Sequence, residues 1–137
     1  MRQIKFRAWD KKDKKMRIVT RITFGLEPTG HPPIIVHLDD GKEPVTRSVN
    51  DVILLQYTGL KDKDGKEIYE GHIVHFLNHN TGEFLKREVK WNETFMGWDI
   101  YTVRNYVENT PTSKDAGIEI IGNIYENPEL LKSLVND

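Results

Sequence analysis

Five histidines, His31, His37, His72, His75 and His79, are the side chains able to bind metal or move protons near neutral pH, and the chain has no cysteine. The lack of cysteine removes disulfides, thiolate ligands and sulfur nucleophiles together. His72 and His75 flank and enter an apolar run, Ile73-Val74-His75-Phe76-Leu77, that reads as a strand. Side chains alternate across a strand, so these two rings point to opposite faces and do not converge on one ion. Ser48, Ser113 and Ser133 sit in no nucleophile-elbow context, and Gly59, Gly65 and Gly71 are spaced as turns rather than as a phosphate cradle. No catalytic, cofactor-binding or metal-binding residue is expected, and no cofactor.

Asp62-Lys63-Asp64-Gly65 invites comparison with a calcium loop. An EF-hand needs its glycine at position six, an oxygen ligand at position one and a glutamate at position twelve. Placing Gly65 at six puts Leu60 at one and Gly71 at twelve, and neither is a ligand. The flanks are strand-like rather than helical. A hairpin turn, in which Asp-Gly tolerates positive φ, accounts for the residues.

Two groups of residues could recognise a partner. Trp91, Phe95, Trp98 and Tyr101, interleaved with Arg87, Lys90 and Arg104, have the composition of a base-stacking surface. The same aromatics could simply fill a small β core. Lys and Arg also crowd residues 1–21, whereas residues 118–137 carry Glu119, Glu126, Glu129 and Asp137 against Lys132. Arg2, Lys5 and Arg7 at the start, with Arg87, Lys90 and Arg104, are therefore the expected surface for nucleic acid or a protein partner. A solvated face and a lysine-rich turn would have the same composition. The net charge of −1 gives no global polycation.

The elements that must position these groups are mostly strands. Ile4, Phe6 and Ala8 alternate with Lys5 and Arg7, and Met16, Ile18, Ile22 and Phe24 repeat that parity with Arg17 and Arg21 opposite. The polar stretch Asp10–Lys15 between them predicts a β-hairpin. Trp9 shares parity with the charged side, so it packs across an edge or covers a second apolar surface. Residues 25–50, broken by Gly25, Pro28, Gly30, Pro32 and Pro33, can supply one short strand, Ile34–Leu38, followed by a turn at Asp39–Lys42. Val52–Tyr57 reads as a central strand, and Glu67–Leu77 as a second element interrupted by Gly71. Further strands follow at Phe84–Trp91, Phe95–Val103 and Ile118–Ile121. Asn127 as N-cap, Pro128 at the first helical position and Leu130, Leu131, Leu134 and Val135 at helical spacing predict one short C-terminal helix.

A chain of 137 residues with 37% hydrophobic and 30% charged residues suits one small domain, 1–137, that can divide into two packed β subdomains near 1–50 and 51–137. The expected fold is mainly β, with small barrel-like antiparallel sheets, a C-terminal part of SH3-like kind and the short helix. No run of about 18 apolar residues is present, and the N-terminus alternates rather than forming a leader, so a cytoplasmic protein is expected.

Three segments together resemble the YopX family of phage and prophage proteins: Ile4-Lys5-Phe6-Arg7-Ala8-Trp9-Asp10, the stretch Leu55–Gly71, and Ile121-Gly122-Asn123-Ile124-Tyr125-Glu126-Asn127-Pro128-Glu129-Leu130. In that family pattern an acidic residue usually stands where this chain has His72. The resemblance implies an accessory protein made in a bacterial host, with no catalytic residue to carry over and with homo-oligomers in keeping. The reading that follows is a non-enzymatic protein that binds a protein partner or its own copies. A nucleic-acid-binding small β-barrel is the alternative, and a toxin-like ribonuclease using Arg87 and His75 is a third.

Overall fold

The structure, a computed structural model, describes residues 3–25, 34–77, 82–94, 96–99 and 117–131. The chain divides into two compact units, Gln3–Gln56 and a second that begins at Tyr57.

The N-terminal unit is an antiparallel meander. Strand β1 (Phe6–Asp10) turns into β2 (Lys15–Phe24), followed by β3 (Ile34–Asp39) and β4 (Pro44–Ser48). A 3-10 turn, Val49–Asp51, leads into β5 (Val52–Lys61), whose first half returns to pair with β1. The spatial order is β4-β3-β2-β1-β5. The predicted hairpin is therefore present, with Arg7 opposite Ile18 and Asp10 opposite Lys15. Among the described residues of 25–50 there are two strands, β3 and β4, not the single one expected. β4 was hidden because Pro44-Val45-Thr46-Arg47-Ser48 has one strong apolar residue, and its pairing is supplied by β3.

The core of this unit joins Ala8, Val36, Leu38 and Val52, with Val19, Val49 and Leu54 packed around them. Trp9 stands opposite Met16 on one side and Ile53 on the other, so it covers a second apolar row. β2 departs from its expected parity. Arg17 is 4% exposed, whereas Ile18 is 60% exposed. Arg17 lies level with Ala8 and meets the buried Asp10, which turns the charged position inward. A register shift between Val19 and Arg21 then changes the alternation, and Ile22 comes level with Val36.

In the C-terminal unit the second half of β5 pairs with β6 (Glu67–Tyr69) through a hairpin whose Gly65 has φ +85°. Strand β7 (His72–Leu77) follows, flanked by β8 (Phe84–Glu88) and by β11 (Glu119–Asn123). Between these in sequence, β9 (Lys90–Asn92) pairs with β10 (Gly97–Asp99). Ile68, Val74, Phe76, Val89 and Ile118 form the core, with Leu60, Leu85, Trp98 and Ile120 against it. The sheets do not close into a barrel among the described residues, though their antiparallel order is compatible with an SH3-like arrangement.

Residues 129–131 are helical, as Asn127 and Pro128 predicted. The amides of Leu130 and Leu131 donate to the carbonyls of Asn127 and Pro128. Leu134 and Val135 lie outside the described residues.

Candidate functional site

The sheet β8-β7-β11 has one buried face and one face that reaches solvent. On the buried side stand Val74 and Phe76. On the other side the register places His75 directly between Glu119 and Lys86. The alternation that separates His72 from His75 is thus realised, and each ring has its own partners.

His75 Nε2 lies 2.7 Å from Glu119 Oε2, and Lys63 Nζ lies 3.2 Å from the same oxygen. Lys63 is brought there by the β5–β6 turn, because its backbone N–H donates to the Ile118 carbonyl at 2.8 Å. The bond from His75, followed by that from Lys63, holds the Glu119 carboxyl below its ordinary value of 4.5. The Phe84 ring stacks on His75, with centroids 5.4 Å apart and planes 22° apart, and remains 68% exposed. The arrangement is an exposed aromatic stacked on an imidazole that is bonded to the Glu119–Lys63 ion pair. Such a surface offers apolar area at its centre and polar groups at its rim, the composition of a protein-binding patch.

The other polar side chains that looked capable of chemistry hold the backbone instead. Asp62, 3% exposed, accepts the N–H groups of Asp64 and Lys66 at 2.9 Å with Oδ1 and that of Ile120 at 3.3 Å with Oδ2. Its oxygens thus organise the turn and tie it to β11, which is the physical content of the failed calcium count. His72 Nδ1 accepts the Tyr69 N–H at 2.8 Å, which puts the ring proton of the neutral imidazole on Nε2.

A network of charges sits inside the N-terminal unit. Asp10 is fully buried. Its two oxygens receive Arg17 Nε at 3.2 Å and Arg47 Nε at 3.1 Å. Asp13 Oδ2 accepts from Nη2 of both arginines, at 2.6 and 3.1 Å, and Asp40 lies 3.2 Å from Arg17 Nη1. Burial alone would raise the Asp10 carboxyl, but the Arg47 guanidinium and the Lys12 and Asp13 amides hold it below 3.8. Asp40 falls to about 2, chiefly because the Lys42 and Glu43 amides donate to it. These groups are mutually satisfied, so they fasten β1, β2 and β4 and leave no acid or base free to react.

The sequence matches the family described as YopX protein over residues 5–132. The chain belongs to the YopX family. A solved structure, protein EF1440 from Enterococcus faecalis, is similar to it at 27% identity with a TM-score of 0.63, covering 96% of this chain and 99% of that one. No curated protein matches it.

The YopX motifs acquire structural reasons. In the C-terminal motif, Asn123 Oδ1 accepts the Tyr125 and Glu126 amides, and its Nδ2 donates to Glu126 Oε1. Asn127 Oδ1 folds back to accept the Asn123 N–H at 3.3 Å. A Cβ on Gly122 would stand 2.6 Å from that oxygen, so any other residue there would push Asn127 off this bond. In this chain the position caps the Tyr69 amide, which an acid in place of His72 would also have an oxygen to accept.

Of the basic residues put forward as a possible partner surface, the described ones fall in both units of the YopX chain. Lys5 is exposed and Arg7 half-buried in the N-terminal unit. In the other unit Lys90 is exposed, while Arg87 is half-buried, level with Val74, and bonded through Nη1 to the Lys86 carbonyl. Arg2 and Arg104 lie outside the described residues, as do Phe95 and Tyr101. Trp98 packs on the core, and Trp91 meets it edge-on at 5.2 Å. Phe84 and Glu119 were not among the expected site residues. Their signal was the placing of Phe84 on the same parity as Lys86 and Glu88, an aromatic in a charged row.

Proposed function

We propose that this YopX-family chain is a non-enzymatic accessory protein of a phage or prophage that acts by binding another protein through the Phe84–His75–Glu119 face. The observation that carries the reading is the exposed Phe84 ring stacked on His75 beside Glu119 and Lys63. Exposed aromatics held rigid among paired charges make efficient anchors, because little side-chain freedom is left to lose on binding. The phage setting follows from the family resemblance.

The test is capture of partners from induced or infected host cells by the tagged protein and by Phe84→Ala, each with and without nuclease. The proposal expects a protein that survives nuclease and is lost with Phe84→Ala. Loss on nuclease treatment, or equal capture by both forms, contradicts it.

A further inference from the structure

A second site lies in the N-terminal unit, independent of the face just described. A surface groove of about 550 Å³ is lined by Thr20, Arg21, His37, Leu38, Pro44, Val45 and Thr46. It follows the rows that cross β2, β3 and β4, where Arg21 pairs with His37 and His37 with Thr46. The register shift after Val19 makes Thr20 the extra residue of a bulge, and its Oγ1 donates to the His37 carbonyl at 3.1 Å. Bulges re-aim neighbouring side chains and recur beside binding sites.

The charge in this groove is of one sign. Arg21 is exposed and, among the described residues, forms no ion pair or hydrogen bond. This sets it apart from Arg17 and Arg47, which are consumed by Asp10 and Asp13. The His37 ring is steadied by Thr23 Oγ1, 3.1 Å from its Nε2. No carboxylate lines the groove, and that of the nearby Asp39 accepts the Gly41 N–H at 2.7 Å. Pro44, exposed and on the same strand face as His37 and Thr46, adds an apolar edge, whereas Leu38 and Val45 share the opposite face with the core.

We propose that this groove binds a small oxyanion-bearing molecule with an apolar body, its phosphate or carboxylate held by the Arg21 guanidinium with His37 and the Thr46 hydroxyl beside it. Guanidinium pairs in forked fashion with such groups, which fixes orientation as well as charge.

Amide chemical shifts of the isotope-labelled full chain, followed at constant ionic strength, test this. The probes are inorganic phosphate, phenyl phosphate and benzoate. Saturable shifts centred on Arg21, His37 and Thr46 are expected, with phenyl phosphate binding about three-fold tighter than phosphate because its ring can pack on Pro44. Benzoate against phenyl phosphate separates a carboxylate ligand from a phosphate one. Arg21→Gln, at an exposed position that leaves the fold intact, should weaken binding about tenfold. Linear unsaturated shifts, shifts centred on the lysines of residues 11–15, or unchanged affinity in Arg21→Gln overturn the proposal.

Discussion

The two units solve the same problem, how to bury polar groups among few apolar ones, in different ways. In Gln3–Gln56 buried charges answer one another from strand to strand, Asp10 meeting Arg17 on the next strand and Arg47, 37 residues away, on β4. In the unit that begins at Tyr57, buried polar side chains answer backbone amides instead, mostly within a few residues, as His72 does for Tyr69 and Asn123 for Tyr125 and Glu126, while Asp62 also reaches Ile120 on β11. A charge network is costly to break because each member removed leaves another ion buried and unpaired. A backbone cap costs only its own hydrogen bonds. The difference means that the N-terminal meander depends on a few long-range ion pairs, and the C-terminal unit on local turns around an apolar core.

The largest expected effect follows from Asp10. Asp10→Ala takes the acceptor from the Nε of both arginines, leaving their other nitrogens on Asp13 and Asp40, and should lower unfolding stability by roughly 3 kcal/mol in urea titrations. Adding Arg17→Met should recover part of that loss; if the double variant is as unstable as the sum of the two single ones, the residues do not act as a network. Asp62→Ala removes an acceptor from three amides and should cost about 1–3 kcal/mol, with faster amide exchange at Asp64, Lys66 and Ile120. A loss equal to that of Asp10→Ala would erase the contrast between the units.

His72 offers a sharper form of the comparison. His72→Leu should destabilise by about 1–2 kcal/mol, whereas His72→Asp, which keeps an acceptor for the Tyr69 amide, should cost less. Equal losses in both would show that ring packing, including the edge contact with Tyr69, matters more than the cap. The pH dependence has a fixed sign. Asp10, Asp40 and Glu119 all have folded-state values below their ordinary ones. Their stabilising contribution is present above the unfolded values and is lost as pH falls through the folded ones. Melting temperature should therefore decline as pH falls below about 4 toward 2, the value to which Asp40 is held. Asp40→Asn should flatten the decline; an unchanged profile would remove Asp40 from the network's titration.

Local chemistry was legible in the sequence, and long-range pairing was not. The Asp64-Gly65 turn, the bend at Gly71, the central Val52–Tyr57 strand and the helix start at Asn127-Pro128 all follow from residues near one another. β2 was read with the wrong face inward, because alternation alone cannot know that Asp10 waits on the neighbouring strand to receive Arg17. β4 escaped notice for the same reason: its stability comes from β3, not from its own side chains. The proposed binding face was half legible. The alternation assigned His75 a face of its own, but Glu119 and Lys63 reach it from distant segments that only the fold brings together.

The central claim is that Phe84 serves recognition and not folding. The most direct measurement compares Phe84→Ala with the unaltered protein for stability and for nuclease-resistant partner capture in the same preparation. The expected result is a stability change within about 0.5 kcal/mol, as for an exposed side chain, together with lost capture. Retained capture, or a loss of stability comparable to that of a core substitution, would contradict it.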